Sequence, residues 1–102
     1  MEIFKQLKNF GYKHYVELTI EELDKLPIDN IERRIECSLV IDWFREKHGM
    51  IILPFMFDEF REDYFSYRII RRQGNINVHY PYKSYYEARE AAILKAIELC
   101  KK

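Results

Sequence analysis

Tyr64-Phe65-Ser66-Tyr67-Arg68-Ile69-Ile70-Arg71-Arg72-Gln73-Gly74-Asn75-Ile76-Asn77-Val78-His79-Tyr80 is the stretch that decides the fold. From Tyr64 to Arg72 the side chains alternate, with Phe65, Tyr67 and Ile69 on one side and Ser66, Arg68, Ile70 and Arg72 on the other. A period of two is what a half-buried strand requires. Gly74-Asn75 tolerates positive φ and suits a two-residue hairpin turn. The return strand, Ile76 to Tyr80, alternates again: Ile76, Val78 and Tyr80 oppose Asn77 and His79, and Pro81 stops it. Upstream, Met50 to Phe57 is β-branched and aromatic and reads as a further strand, with Pro54 placing it at an edge or a bulge. Asp58-Glu59-Phe60-Arg61-Glu62-Asp63 is an acidic connection between the two. The expectation is a three-stranded antiparallel meander.

Helices flank it on both sides. Ser84-Tyr85-Tyr86-Glu87 has the spacing of a capping box, and Ala88, Ala92, Ile93, Ala96, Ile97, Leu99 and Cys100 form one broad stripe behind it. The small alanines let this last helix lie close against one sheet face. Glu98 stands four residues before Lys102, a favourable orientation for an ion pair and for the helix dipole. Ahead of the meander, Asp29 with Glu32 starts a long helix that ends at Gly49. Its first half is charged (Glu32, Arg33, Arg34, Glu36), and its second half holds Cys37, Leu39, Val40, Ile41, Trp43 and Phe44. Those apolar positions cover more of the circumference than one core face needs, leaving Arg34, Ser38, Asp42 and Arg45 as the polar stripe.

Further toward the N-terminus, Ile3, Phe4, Leu7 and Phe10 recur at helical spacing, with Lys5 and Lys8 facing out and Gly11 at the C-cap position. Tyr12 to Leu18 is short and aromatic, without a clear period. Thr19-Ile20-Glu21-Glu22 is a capping box, Leu18 and Leu23 occupy the positions of a hydrophobic staple, and Pro27 ends this second helix early. The fold class expected is α+β: N-terminal helices, a three-stranded antiparallel meander, and a C-terminal helix packed on one sheet face. Residues 1–102 make a single domain, with 1–28 a short helical N-terminal part and 29–102 a helix–three strands–helix unit.

Composition agrees. The 102 residues are 48% hydrophobic and 33% charged with three Gly and three Pro, a globular composition rather than a disordered or collagen-like one. A chain this long buries about two thirds of its extended surface on folding, enough for a core without staples. Seventeen Lys and Arg balance seventeen Asp and Glu, which disfavours a generally basic nucleic-acid binder but not a local basic patch. Two cysteines make no disulfide framework, and no clustered ligands for zinc accompany them. The longest uncharged apolar run, Met50 to Phe57, is too short to span a bilayer, and the N-terminus lacks a signal peptide's apolar stretch. A cytoplasmic protein with no membrane partner is expected.

Candidate chemistry is sparse. Cys37 and His48 lie eleven residues apart on one helix, about 16 Å, too far for a nucleophile–base pair. His48 fits instead as a C-terminal histidine interacting with the helix dipole, and Cys37 and Cys100 as packed thiols on apolar stripes. Asp58, Glu59, Glu62 and Asp63 lack the spacing and the glycine of a calcium loop and read as a solvated acidic turn. There is no glycine-rich phosphate loop, nucleophile elbow or HExxH pattern, so no catalytic residue, metal ligand or cofactor is expected. The region from Tyr64 to Tyr86 is polarised, with Arg68, Arg71, Arg72 and Lys83 among Tyr64, Tyr67, Tyr80, Tyr82, Tyr85 and Tyr86 and no acidic residue. Tyr64, Arg68, Arg71, Arg72, Tyr80 and Lys83 are thus candidates for a nucleic-acid surface. An ordinary sheet with half-buried tyrosines gives the same pattern, and the adjoining acidic turn repels phosphate. On the long helix, Ile35, Leu39 and Trp43 point away from the core-facing Cys37, Val40, Ile41 and Phe44. They are either a self-association patch, with a two-fold dimer as the first expectation, or are closed over by Phe4, Leu7 and Phe10 of the first helix.

Three segments, Asp42-Trp43-Phe44-Arg45-Glu46-Lys47-His48-Gly49, Tyr64-Phe65-Ser66-Tyr67-Arg68-Ile69 and Tyr82-Lys83-Ser84-Tyr85-Tyr86-Glu87-Ala88-Arg89-Glu90-Ala91-Ala92, are similar to small uncharacterised proteins of bacterial prophages and mobile elements over roughly residues 30 to 102. The resemblance implies a genomic setting more than a chemistry. The helix–three strands–helix order with an alanine-rich last helix also resembles the double-stranded-RNA-binding fold. That fold reads phosphates with lysines opening its last helix and a histidine in its first strand connection. Here the helix opens Ser84-Tyr85-Tyr86-Glu87 and the connection is acidic, so RNA reading is not carried over. A strand-and-helix DNA-binding module, as in integrase arm-binding domains, is a further analogy that would use Arg68 and Arg72. The function expected is a non-enzymatic accessory or protein-interaction module of a phage-like or mobile element, with a protein partner or a homodimer. The alternative is a nucleic-acid-binding module using the Tyr/Arg sheet face.

Overall fold

The computed structural model describes residues 2–59 and 62–101, without the side chains of residues 57–59, 62 and 63. Its order is α1 (Ile3–Asn9), α2 (Ile20–Lys25), α3 (Ile31–His48), β1 (Ile51–Glu59), β2 (Glu62–Ile70), β3 (Ile76–Tyr82) and α4 (Tyr85–Cys100). The strands form one antiparallel sheet in the order β1-β2-β3, and α4 packs on it, so the fold is α+β.

Local chemistry accounts for most of the boundaries. Thr19 and Glu22 form the reciprocal capping box that opens α2, and Pro27 follows its end. Gly49 ends α3 in the left-handed conformation, at φ 63°, where a Cβ would be strained. α1 has no side-chain cap of its own; the Phe4 and Lys5 amides donate instead to the Asp24 carboxylate of α2, at 2.8 and 3.1 Å. The cap of α3 falls one residue later than the sequence pattern places it: the Asn30 side chain, not that of Asp29, accepts from the Arg33 amide. At α4 the Ser84 hydroxyl accepts from the Glu87 amide as expected, but the Glu87 carboxylate accepts from the Lys83 amide, so the reciprocal half of the box is displaced by one residue. Lys102 lies outside the described residues, and Glu98 pairs with Lys95 at 3.5 Å.

The meander is longer at one end and looser at the other than the alternation implies. β1 and β2 stay paired through Asp58↔Asp63 and Glu59↔Glu62, so the expected six-residue acidic connection contracts to residues 60–61. Residues 60–61 and the expected solvation of the acidic side chains lie outside the described residues. β2 ends at Ile70, and residues 71–75 form a loop in which the Gly74 amide donates to the Arg71 carbonyl, in place of a two-residue turn. β3 pairs Ile76 with Ile69 and Val78 with Tyr67, but Phe65 pairs with Tyr82 across a register shift. Two extra residues in β3 turn Tyr80 outward, give its core-facing role to Tyr82, and carry the strand through Pro81.

α3, α4 and α1 lie on one face of the sheet. The core there joins Phe4 and Leu7 of α1, Val40 and Phe44 of α3, Ile52, Tyr67 and Ile69 of the sheet, and Ala92, Ile93, Ala96 and Ile97 of α4. Ala88, Ala92 and Ala96 of α4 are fully buried, which is how its axis comes close to the strands.

Candidate functional site

With the packed helices on one side, no helix among the described residues covers the other face of the sheet. Directly paired residues of antiparallel strands share a face. Ile52↔Ile69 is buried, so Ile51↔Ile70, Leu53↔Arg68 and Phe55↔Ser66 face outward. Ile51 and Leu53 are each 41% exposed. The Arg68 guanidinium lies among these apolar groups and donates through Nε to the Asn77 amide oxygen at 2.7 Å. Phe55 and His79, on the two edge strands, meet edge to face at 6.4 Å across the central strand. Beneath them Ser66 is fully buried and its hydroxyl donates to the Val78 carbonyl. Among the described residues the outer face thus carries apolar Ile51, Leu53, Phe55 and Ile70 around Arg68, with the polar Asn77 and His79 beside them.

The six residues expected to form a nucleic-acid surface are dispersed. Arg68 is at the centre of the outer face. Arg71 and Arg72 sit on the loop after β2, where Arg71 Nε donates to the Gly74 carbonyl at 2.9 Å. Tyr64 lies near the opposite end of β2, about 25 Å of strand away. Tyr80 and Lys83 do come together, bordering a cleft of about 570 Å³ with Pro81, Tyr82, Ala91 and Leu94 between β3 and α4. Tyr67 is buried and faces the core, so it offers no ring to a base.

Of the residues expected to drive self-association, Trp43 is half-buried and packs against Phe10, Tyr12, Phe44 and His48 at centroid distances of 6.4, 5.4, 5.1 and 4.9 Å. Phe10 thus folds back over it from the end of α1. Leu39 is half-buried as well, whereas Ile35 is 49% exposed beside the exposed Ile31.

Arg33 and Glu36, in the charged first half of α3, each clasp it to its surroundings, and nothing in the charge pattern marks either of them as inward-facing. Arg33 donates through Nε and Nη2 to both oxygens of Glu90 on α4, each at 2.7 Å. Arg33 Nη1 donates to the Leu23 and Leu26 carbonyls at the end of α2. Glu36 is fully buried, and its carboxylate accepts from the Tyr12 hydroxyl and from the Tyr15 and Val16 amides. It thereby fixes the irregular segment 12–18, whose last residues bend with the Leu18 amide on the Val16 carbonyl. Burial and the Glu36 carboxylate push the Tyr12 hydroxyl pKa far up.

Chemistry that needs a reactive side chain finds little here. The Cys37 thiol is buried 3.7 Å from Glu90, and burial together with that carboxylate pushes its pKa up to about 12, the reverse of an activated nucleophile. α3 is unbroken, so Cys37 and His48 stay three turns apart. His48 stacks on Phe10 at 5.2 Å. Among the described residues no three His, Cys, Asp or Glu side chains converge where a metal ion could be held, and no helix is long and apolar enough to cross a membrane. No protein-family model matches the chain, and no curated protein or solved structure matches it either.

Proposed function

We propose that this protein is a non-enzymatic protein-interaction module that docks its partner on the outer face of the sheet. The observation that carries the reading is the outward-facing set of Ile51 and Leu53, each 41% exposed, with half-buried Phe55 and Ile70 around Arg68. An apolar patch opposite the core marks a contact between chains. Among the described residues Arg68 has no carboxylate partner, only the Asn77 amide. The occupant that fits is therefore a different protein presenting apolar side chains around an Asp or Glu. A second copy docking two-fold on this face brings Arg68 toward Arg68, like charge against like. The resemblance of residues 42–49 and 82–92 to prophage-encoded proteins supports a partner from a phage-like or mobile element.

The test is co-purification from the native host, followed by reconstitution with the recovered partner. Leu53→Asp abolishes a one-to-one complex and leaves the melting temperature nearly unchanged, because Leu53 is already substantially exposed. Arg68→Glu weakens the complex, and reversing the charge of the partner's acidic residue restores it. The reading fails if Leu53→Asp binds normally. It also fails if the wild type forms a salt-sensitive complex with nucleic acid that Arg68→Ala and Arg72→Ala abolish, or if light scattering gives a dimer that Leu53→Asp dissociates.

A further inference from the structure

Two arginines on the facing helices α3 and α4 are equally buried, Arg33 and Arg89, each 5% exposed. They differ in what neutralises them. Arg33 has the Glu90 fork. Arg89 has no carboxylate within ion-pair distance among the described residues. Its Nη1 donates to the Ser38 hydroxyl at 3.1 Å, its Nη2 to the Arg34 carbonyl at 3.2 Å, and its buried Nε has no acceptor. A buried cation without an anion is the arrangement proteins avoid, unless a ligand supplies the missing charge.

Arg89 lines an open cleft of about 500 Å³ between the first halves of α3 and α4, within the range that holds small organic molecules. A second guanidinium, that of Arg34, stands on the same cleft 4.5 Å over the Tyr86 ring and likewise lacks a carboxylate partner among the described residues. Arg89 lies 5.6 Å from the Tyr85 ring and 5.5 Å from the Tyr86 ring. Exposed Ile31 and Ile35 form the remaining apolar wall. The cleft therefore joins a positive floor to aromatic and aliphatic sides. We infer that it is a binding site for a small phosphate monoester, with the phosphate between Arg34 and Arg89 and a flat apolar body against Tyr86, Ile31 and Ile35. Two guanidinia suit a dianion, and their planar donor sets match phosphate oxygens better than ammonium groups do. The site is separate from the outer sheet face, so it stands or falls independently of the docking surface.

The test is calorimetric titration of the full chain at low salt with phenyl phosphate, AMP, inorganic phosphate and phenol. Phenyl phosphate is expected to bind and to raise the melting temperature with concentration, with inorganic phosphate weaker and phenol not binding. AMP binding at least as tight as phenyl phosphate assigns the flat body to a nucleobase, and weaker AMP binding assigns it to a simple aryl group. Arg34→Ala, on the cleft rim, weakens phenyl phosphate by at least about tenfold, whereas Lys47→Ala, an exposed cation at the far end of α3, leaves it unchanged. Arg89→Met removes binding while the unliganded protein melts no lower than wild type, because the substitution removes a buried unpaired charge. The inference is overturned if phenyl phosphate does not bind, if Arg34→Ala binds it as well as wild type, or if phenol binds equally well.

Discussion

Arg33 and Glu90, 57 residues apart in sequence, form a two-pronged ion pair between α3 and α4, with both N···O distances at 2.7 Å. Arg33 also ends α2 by donating to two of its carbonyls, so one guanidinium ties three helices together. A buried pair of this kind is expensive to break and cheap to replace. Glu90→Ala is expected to lower stability by about 3–5 kcal/mol, because it strands a buried cation. The double variant Arg33→Met with Glu90→Leu should unfold in urea close to wild type. If Glu90→Ala unfolds like wild type, the pair is not closed in solution.

The clasp shows where sequence pattern runs out. Capping and glycine signals are local, so Thr19, Glu22, Ser84 and Gly49 mark helix ends that the structure keeps. Alternation is local too: it places Phe65, Tyr67 and Ile69 on one side, and the structure buries Tyr67 and Ile69 of that side in the core. Arg33 and Glu36 sit in a charged run, and only α4, the end of α2 and segment 12–18 turn them inward. The register shift in β3 is equally non-local: the Ser66 hydroxyl takes the Val78 carbonyl, and Tyr82 rather than Tyr80 reaches Phe65. The cleft at Arg89 was hidden for the same reason, since Arg89 within an alanine-rich helix carries no motif.

Ala92 is fully buried between α4 and the strands, whereas Ala91 is half-exposed at the rim of the β3–α4 cleft. Close helix–sheet packing leaves no room for added methylenes. Ala92→Leu should therefore cost about 1–3 kcal/mol, and Ala91→Leu should cost less than about 0.5 kcal/mol. Thermal melts of the two variants check the assignment, and equal effects would show the wrong face against the sheet.

Glu36 holds three donors of segment 12–18, two of them backbone amides. Glu36→Ala leaves those amides without acceptors and should loosen this segment before the rest of the fold. Amide exchange at Tyr15 and Val16 is expected to accelerate by orders of magnitude, while exchange in α4 slows or quickens only in step with global stability. Uniform acceleration across the chain would mean that Glu36 supports the whole core instead of latching segment 12–18.

Alkaline pH tests the two buried protons beside α3. The Cys37 thiol is raised from about 9 to about 12, and the Tyr12 hydroxyl is raised above its ordinary value of 10.0. A folded-state pKa above the unfolded one means that the native protein keeps a proton the unfolded chain has already released. Stability from these groups is full below pH 9 and falls as pH climbs through the interval between the two values. Urea midpoints are thus expected to stay level from about pH 7 to 8.5 and then decline. Cys37→Ala should flatten the onset of that decline, and Tyr12→Phe its continuation above pH 10, whatever each substitution does to stability at neutral pH. Iodoacetamide at pH 8.5 gives an independent reading, since only thiolates react. Cys100, which is half-exposed, should alkylate in the folded protein while Cys37 waits for unfolding. Prompt modification of Cys37 in the native state, or a pH profile that the two substitutions leave unchanged, would place its sulfur in a far more open setting than the one between α3 and Glu90.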